Sequence, residues 1–123
     1  MVARSKKTPF QYWESNNNSG IESRYIRIGS SQMNHRTYRA LVKKNGNAAI
    51  LYHFMRMKAG GKRDFEFPHT EYKDLMAKGT FTACKNLLIR YGFIEEIENN
   101  AHRMTANVYR FSDKWKTVDL SRL

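Results

Sequence analysis

The residues best suited to chemistry lie in one short stretch, residues 80–91, which reads TFTACKNLLIRY. At 100° per residue, Thr82, Asn86 and Arg90 fall on one side of a helix, with Lys85 and Ala83 on its flanks. The opposite side is apolar and is expected to be buried; it contains Phe81, Cys84, Leu87, Leu88 and Tyr91. An asparagine amide can form two hydrogen bonds with adenine, and a lysine can reach the acceptors of guanine. No carboxylate lies in the stretch, so the pattern predicts a helix that reads base edges in the major groove of double-stranded DNA.

Flanking residues are expected to contact the DNA backbone. Helix N-termini attract anions, which makes Thr70, at the start of a preceding short helix, a candidate for a phosphate contact. Lys62 and Arg63 would add attraction that does not depend on sequence. The predicted DNA-binding residues are Lys78, Thr80, Thr82, Lys85, Asn86, Arg90, His102, Arg103, Thr70, Arg4, Lys6 and Lys7.

Catalytic chemistry has little support in the sequence. The histidines, His35, His53, His69 and His102, are scattered, and a single cysteine, Cys84, offers no zinc-site spacing. Neither a nucleophile elbow nor a phosphate-binding glycine loop is present. We therefore expect a protein that is not an enzyme and has no metal and no cofactor.

The positive charge is confined to one half of the chain. The formal net charge is +11. Residues 1–63 contain 13 Lys and Arg against two acids, whereas residues 64–123 contain nine residues of each sign. Such a surplus is typical of proteins that bind polyanions, and the alternative is a basic surface that is simply solvated.

Size and composition favour one compact domain. The chain has 123 residues, of which 41% are hydrophobic. Its apolar runs are too short for a membrane span, and its basic N-terminus lacks the apolar segment of a secretory signal. A lone cysteine cannot form an internal disulfide, so we expect a reduced, cytoplasmic protein.

Two helices and a hairpin would position the polar helix. Residues 68–76 predict a short helix that buries Tyr72, Leu75 and Met76, and residues 77–79 a tight junction. Thr80 would cap the next helix, and Gly92 would end it. Residues 93–99 and 104–111 read as two strands joined by a polar tip at 99–103. Glu95, Glu96 and Glu98 are expected to face away from the duplex or to pair with the basic half.

The upstream elements are expected to support this pair of helices. Residues 24–28 alternate as a strand that would pair with the hairpin, and residues 33–44 predict a helix. Asn47 would cap a second helix over residues 48–58. Its expected buried stripe is Ile50, Leu51, Phe54 and Met57. Residues 64–67 suit a short, half-buried strand.

This order of helix, turn, helix and hairpin predicts an α+β fold, a winged helix-turn-helix. It would comprise three to four helices, a small antiparallel sheet and a β-hairpin wing. The domain is expected to span residues 24–116, between a basic flexible arm at 1–23 and a tail at 117–123. Phe10, Tyr12 and Trp13 in the arm could pack on the domain, stack on a partner or hold a dimer together.

The chain also resembles winged-helix proteins of plasmids, phages and conjugative elements. The residues that carry the resemblance are Phe67-Pro68, Tyr72, Gly79-Thr80-Phe81, Ala83, Leu87-Leu88 and Gly92-Phe93-Ile94-Glu95, followed by Ala106 to Ser112 and Trp115. The resemblance implies a sequence-specific binder of double-stranded DNA, a replication-initiator-like or origin-of-transfer accessory protein. The alternatives are a transcriptional regulator with the same binding mode and a protein-interaction module in a larger complex. The expected partner is double-stranded DNA, with self-association or other DNA-processing proteins as further partners and no membrane. RNA binding is a weaker third option.

Overall fold

The computed structural model describes residues 25–100 and 105–123, which form an α+β structure. In these residues a small antiparallel sheet of three strands accompanies five α-helices. The helices are α1 Ser30–Met33, α2 Arg36–Lys44, α3 Gly46–Ala59, α4 His69–Tyr72 and α5 Lys78–Arg90. The strands are β1 Asp64–Glu66, β2 Ile94–Glu98 and β3 Val108–Phe111, and two 3-10 turns follow at Lys114–Lys116 and Leu120–Arg122.

Side-chain caps set the boundaries of the first three helices. The helix predicted over residues 33–44 is divided, because His35 Nδ1 accepts a hydrogen bond from the Thr37 amide and starts α2 afresh. Asn45 ends α2 and also begins α3, where its side-chain oxygen accepts from the amide of Asn47 at 3.0 Å. The prediction that Asn47 caps α3 was therefore wrong by two residues.

The buried face of α3 differs from the predicted stripe. Leu51 is buried as expected, but Ile50 and Phe54 are 52% and 43% exposed. The helix instead buries Ala48, Ala49, Leu51, Tyr52, Met55 and Ala59. Because α3 packs against both α2 and α5, its small residues face the core and permit close approach. The predicted buried stripe was therefore wrong at Ile50 and Phe54, because α3 packs against two helices and not one.

The third strand of the sheet comes from residues 64–66 rather than from residues 24–28. Strand β3 is central, with β1 and β2 antiparallel on either side. Arg110 pairs with Asp64 across the β1–β3 register, with Nε–Oδ1 and Nη2–Oδ2 distances of 2.7 and 3.1 Å. The segment from Tyr25 to Gly29 has no strand structure, so the predicted early strand was wrong. The strand predicted at 64–67 is confirmed over Asp64–Glu66.

Aromatic rings join the layers of the core. Phe93 stacks on Trp115 with ring centres 5.5 Å apart, and His35 meets the edge of Trp115 at 4.9 Å. These contacts attach the segment after β3 to the start of α2. Leu120 and Leu123 also pack against the core, so the predicted tail at 117–123 covers part of it. Across 25–100 and 105–123, no helix is long and apolar enough to cross a membrane.

His53 makes the fold sensitive to acid. Its Nε2 lies 2.9 Å from the Tyr38 hydroxyl, and its buried Nδ1 has no hydrogen-bond partner among the described residues. Burial, reinforced by Arg56, lowers the pKa of His53 below 6.5. The unfolded chain therefore takes up the proton first, and stability falls as the pH drops below 6.5 until it reaches the folded-state pKa.

We expect the variant His53→Gln to lose less stability than the wild type as the pH falls. Glutamine keeps a polar side chain near the Tyr38 hydroxyl but cannot titrate. Urea unfolding between about pH 8 and pH 5 measures this difference. Equal losses for the two proteins over that range would contradict the assignment, because the two proteins differ only at residue 53.

Candidate nucleic-acid interface

Aromatic stacking fixes α5 against the preceding segment. Phe81, on the first half of α5, stacks on Tyr72 of α4 with ring centres 3.9 Å apart and planes 4° apart. Phe67, just after β1, stacks on the same ring of α5 at 6.1 Å. Cys84 and Leu88 continue this buried side, and burial raises the pKa of the Cys84 thiol. The predicted burial of Phe81, Cys84 and Leu88 is confirmed.

The ends of α5 are only partly as predicted. The helix begins at Lys78, and its N-cap is Ala77, which forms no side-chain hydrogen bond. Thr80 lies inside the first turn, so its predicted capping role was wrong, and the predicted junction at 77–79 is largely helical. At the other end Gly92 has φ of +85°, a left-handed conformation, which confirms the predicted stop.

Helix α4 is one turn long, shorter than the prediction of 68–76. Residues 73–77 connect it to α5, and Leu75, predicted to be buried, is exposed. Thr70 is exposed on α4, as a phosphate contact requires. However, a helix of one turn has only a small dipole, and Glu71 places a carboxylate in that turn. Thr70 is consequently the weakest of the described candidates.

An exposed ridge without acids runs along the outer side of α5. We define the α5 ridge as Thr82, Asn86 and Arg90, which are all exposed and are spaced one helical turn apart. Lys78 is exposed at the start of the same helix. The Thr82 hydroxyl donates to the carbonyl oxygen of Lys78 at 3.0 Å, so its methyl group and oxygen lone pairs are what it offers outward.

Lys85 is held within the protein rather than on the ridge. Its ammonium lies 3.3 Å from a Glu96 carboxylate oxygen, and its side chain is only 14% exposed. An ion pair at this depth directs the charge toward β2 and away from solvent. Lys85 therefore joins α5 to the hairpin, and the structure does not bring it together with the three ridge residues as a base reader.

Glu96 also organises the hairpin near its tip. Its carboxylate accepts hydrogen bonds at 3.4 Å from the side-chain amides of Asn99 and Asn107. The backbone amide of Asn100 donates to Asn107 Oδ1 at 2.7 Å, and the Asn100 side chain donates to the Ala106 carbonyl at 2.9 Å. This asparagine network closes the hairpin just before its tip.

Five of the predicted contact residues lie outside the described residues. They are His102 and Arg103 at the hairpin tip and Arg4, Lys6 and Lys7 in the N-terminal segment. The same holds for the aromatic group at residues 10–13. These assignments stay predictions.

The acidic residues of the hairpin are paired with the C-terminal half of the chain. Glu96 pairs with Lys85, and Glu95 pairs with Lys114 at 3.0 Å. Both partners belong to residues 64–123, so for these two glutamates the expected pairing with the basic half was wrong. In the described part of the chain, Glu95 and Glu96 therefore compensate none of the positive charge of residues 25–63.

Residues 25–63 form an entirely basic layer. They contain nine Lys and Arg and no Asp or Glu. None of the nine takes part in an ion pair in the described part of the chain. Four of them are exposed on α2, namely Arg36, Arg39, Lys43 and Lys44. Unpaired cations at this density create a positive field that attracts polyanions.

Two features of this surface were missed by sequence reasoning. Ala83 is exposed beside Thr82, where a small side chain permits close approach, whereas the helical periodicity predicts it only on the flank of this side. The Lys85–Glu96 pair joins residues 11 positions apart in different elements, and no local spacing signals such a contact. In the described ranges, no three His, Cys, Asp or Glu side chains come together as a possible metal site.

Comparison with protein-family models, with curated proteins and with solved structures finds no match to this chain. What the protein binds is therefore inferred from the exposed chemistry of α5 and from the unpaired cations of residues 25–63.

Proposed function

We propose that this protein binds double-stranded DNA as a winged helix-turn-helix, with α5 in the major groove and the hairpin as the wing. In this proposal it is a sequence-specific accessory or initiator protein of a mobile element, acting at an origin of replication or of conjugative transfer. A transcriptional regulator would use the same surface, and self-association on repeated half-sites is compatible with either role.

The observation that carries the proposal is the α5 ridge. Thr82, Asn86 and Arg90 are exposed together on a helix that contains no carboxylate, and the opposite side of that helix is fixed by stacked aromatic rings. A rigid helix with outward amide and guanidinium groups fits the donor and acceptor pattern of the major groove. The arrangement of α4, α5 and hairpin supports the winged helix-turn-helix interpretation, although α4 is unusually short.

The basic layer at residues 25–63 would supply attraction that is independent of sequence. Each phosphate neutralised by a lysine or arginine releases counterions, so binding weakens steeply as salt rises. The ridge would then discriminate among sequences that the basic layer attracts equally. This division assigns affinity chiefly to the cations and specificity chiefly to α5.

Asn86→Ala is expected to lose discrimination while it keeps general DNA affinity. The target is first obtained by selecting bound duplexes from a random pool with the wild-type protein. The variant should then prefer the selected duplex over random duplex by about 1–3 kcal/mol less than the wild type, the value of one good base contact. Fluorescence anisotropy with both duplexes measures the change.

The matched control is Asn47→Ala, an exposed asparagine in the first turn of α3. It removes the same side chain from a helix that is assigned no role in reading bases. Unchanged discrimination in Asn86→Ala, or an equal loss in the control, would exclude Asn86 as a reader. Absence of any duplex binding by the wild type at low salt would overturn the proposal as a whole.

A second candidate function, a protein-interaction module, is favoured by one observation. Ile50 and Phe54, one turn apart on α3, expose large apolar side chains to solvent. Neighbouring exposed apolar side chains of this kind mark surfaces that bind another protein. In this case the basic layer would dock an acidic partner. Two results together would identify this function instead. The wild type would show no affinity for duplex but would retain a protein partner, and the variants Ile50→Ser and Phe54→Ser would lose that partner.

A further inference from the structure

A cleft of about 850 Å³ opens near the end of α3. Its walls are the segment before α1, the end of α3 with the following turn, and the segment after β3. The far end of β3, at Phe111, borders the cleft, whereas its first residue, Val108, lies toward the hairpin tip. No described residue of α5 lines it, so it is separate from the ridge proposed to bind duplex.

The cleft carries a concentrated positive charge. Arg27, Arg56, Lys62 and Arg63 line it, and none of them forms an ion pair in the described part of the chain. Lys116 is a fifth cation, and it lies 3.8 Å from Asp113, the one acid among the lining residues. Like charges around a concave surface repel one another and focus their field, so a bound anion would stabilise the arrangement.

An aromatic ring stands at the mouth of this cleft. Tyr25 is 37% exposed, and the guanidinium of Arg27 lies over its ring at 6.0 Å from the centroid and 3.4 Å from its hydroxyl. Arg27 covers one face of this ring, so the exposed remainder of the Tyr25 ring is the surface on which a flat ligand could stack. The other rings of the lining are covered, since Trp115 already stacks on Phe93 and carries Lys116 over its face.

The cleft is also lined by polar groups that can form hydrogen bonds with a ligand. The Gln32 side-chain amide donates to the Tyr52 hydroxyl at 3.3 Å, and both residues line the cleft. Gly60 and Gly61, with φ of +61° and +89°, form the turn that carries Lys62 and Arg63 to its rim. The lining therefore combines cations, one stacking ring and an amide–hydroxyl pair.

We propose that this cleft binds a nucleotide unit, with its phosphate among Arg27, Arg56 and Arg63 and its base against Tyr25. The volume falls within the range of about 300–1,000 Å³ that is usual for small-ligand sites, and it is too small to enclose a duplex. The unit is either a free nucleotide or one residue of a single strand. This inference does not depend on duplex binding by α5.

The test measures binding of dTMP and of a short oligothymidylate to the full chain at low salt, with inorganic phosphate as a competitor. Tyr25→Ala and the double variant Arg27→Gln/Arg63→Gln are each expected to weaken binding by about tenfold or more. These side chains are exposed, so the variants should fold. The matched control, Lys73→Gln/Arg122→Gln, removes two exposed cations that lie outside both the cleft and residues 25–63, and it should bind nearly as the wild type does.

Binding of dTMP would identify a free nucleotide as the ligand, and binding of oligothymidylate alone would identify a strand; both support the site. The proposal is overturned if neither probe binds, or if the cleft variants bind as tightly as the control. It is also overturned if inorganic phosphate competes as well as dTMP, because the ring would then play no part.

Discussion

Gly92→Ala is expected to destabilise the fold by about 2–5 kcal/mol. A left-handed conformation costs an ordinary residue about 1–2 kcal/mol, and Gly92 has φ of +85°. A Cβ at this position would also lie 2.6 Å from the backbone nitrogen of Trp115 and 2.8 Å from the Lys114 carbonyl carbon. Backbone cannot move aside as a flexible side chain can, so overpacking adds about 1–3 kcal/mol.

Variants at two other glycines distinguish the cost of the left-handed conformation from the cost of the steric overlap. Gly61 has φ of +89° but open space around its would-be Cβ, so Gly61→Ala should show the conformational cost alone, about 1–2 kcal/mol. Gly46, in the first turn of α3, has a helical conformation and no neighbour within 4 Å, so Gly46→Ala should be neutral or stabilising. Urea unfolding of the three variants gives the order. A Gly92→Ala midpoint equal to that of Gly61→Ala would show that the close approach to Trp115 carries no cost.

The effect of Gly92 bears on function because this residue joins α5 to β2. Its carbonyl oxygen accepts a hydrogen bond from the Trp115 amide at 3.0 Å. The close packing of Gly92 against Lys114 and Trp115, together with this hydrogen bond, fixes the turn. The fixed turn sets the angle between α5, the proposed DNA-reading helix, and the hairpin. A partly folded Gly92→Ala protein should accordingly lose duplex discrimination together with stability.

Local patterns predicted α5 well because one of its sides meets the core and the other meets solvent. The periodicity identified the buried residues Phe81, Cys84 and Leu88, and Gly92 marked its end. The start was misplaced because Ala77 precedes the helix without any capping side chain. A helix start without a capping side chain has no characteristic residue type at the N-cap, so the sequence does not indicate where the helix begins.

The errors elsewhere arose from tertiary contacts. Helix α3 lies between two neighbours, so Ala48 and Ala49 are buried while Ile50 is exposed, which a single amphipathic stripe cannot represent. The segment beginning at Tyr25 alternates like a strand, but β1 at Asp64–Glu66 already pairs with β3. Likewise, Lys85 is next to Asn86 in the sequence, and this position gives no sign that Lys85 pairs with Glu96 on β2.

Reversing the charge of the α5 ridge is expected to have the largest effect on DNA binding. The double variant Asn86→Glu/Arg90→Glu removes an amide and a guanidinium and introduces two carboxylates on an exposed face. It forfeits a base contact of about 1–3 kcal/mol and sets like charges against the duplex, at a cost of several kcal/mol. Affinity for the selected duplex should fall by roughly a thousandfold or more. Both side chains are exposed, so the fold should persist.

The matched control places the same change in charge on α2. Arg39→Glu/Lys43→Gln alters the net charge by the same amount at two exposed positions that have no ion-pair partner in the described residues. This variant weakens the general field but leaves the ridge intact. It should lose affinity for selected and random duplexes alike, and added salt should reduce its difference from the wild type.

The most direct measurement is the affinity of the wild type, the α5 ridge variant and the α2 variant for the selected duplex and for random duplex, at about 0.15 M salt. We expect the wild type to prefer the selected duplex, the α2 variant to keep that preference at reduced affinity, and the ridge variant to lose it. Equal losses in the two variants, or a ridge variant that still prefers the selected duplex, would contradict the assignment of α5 as the DNA-reading helix.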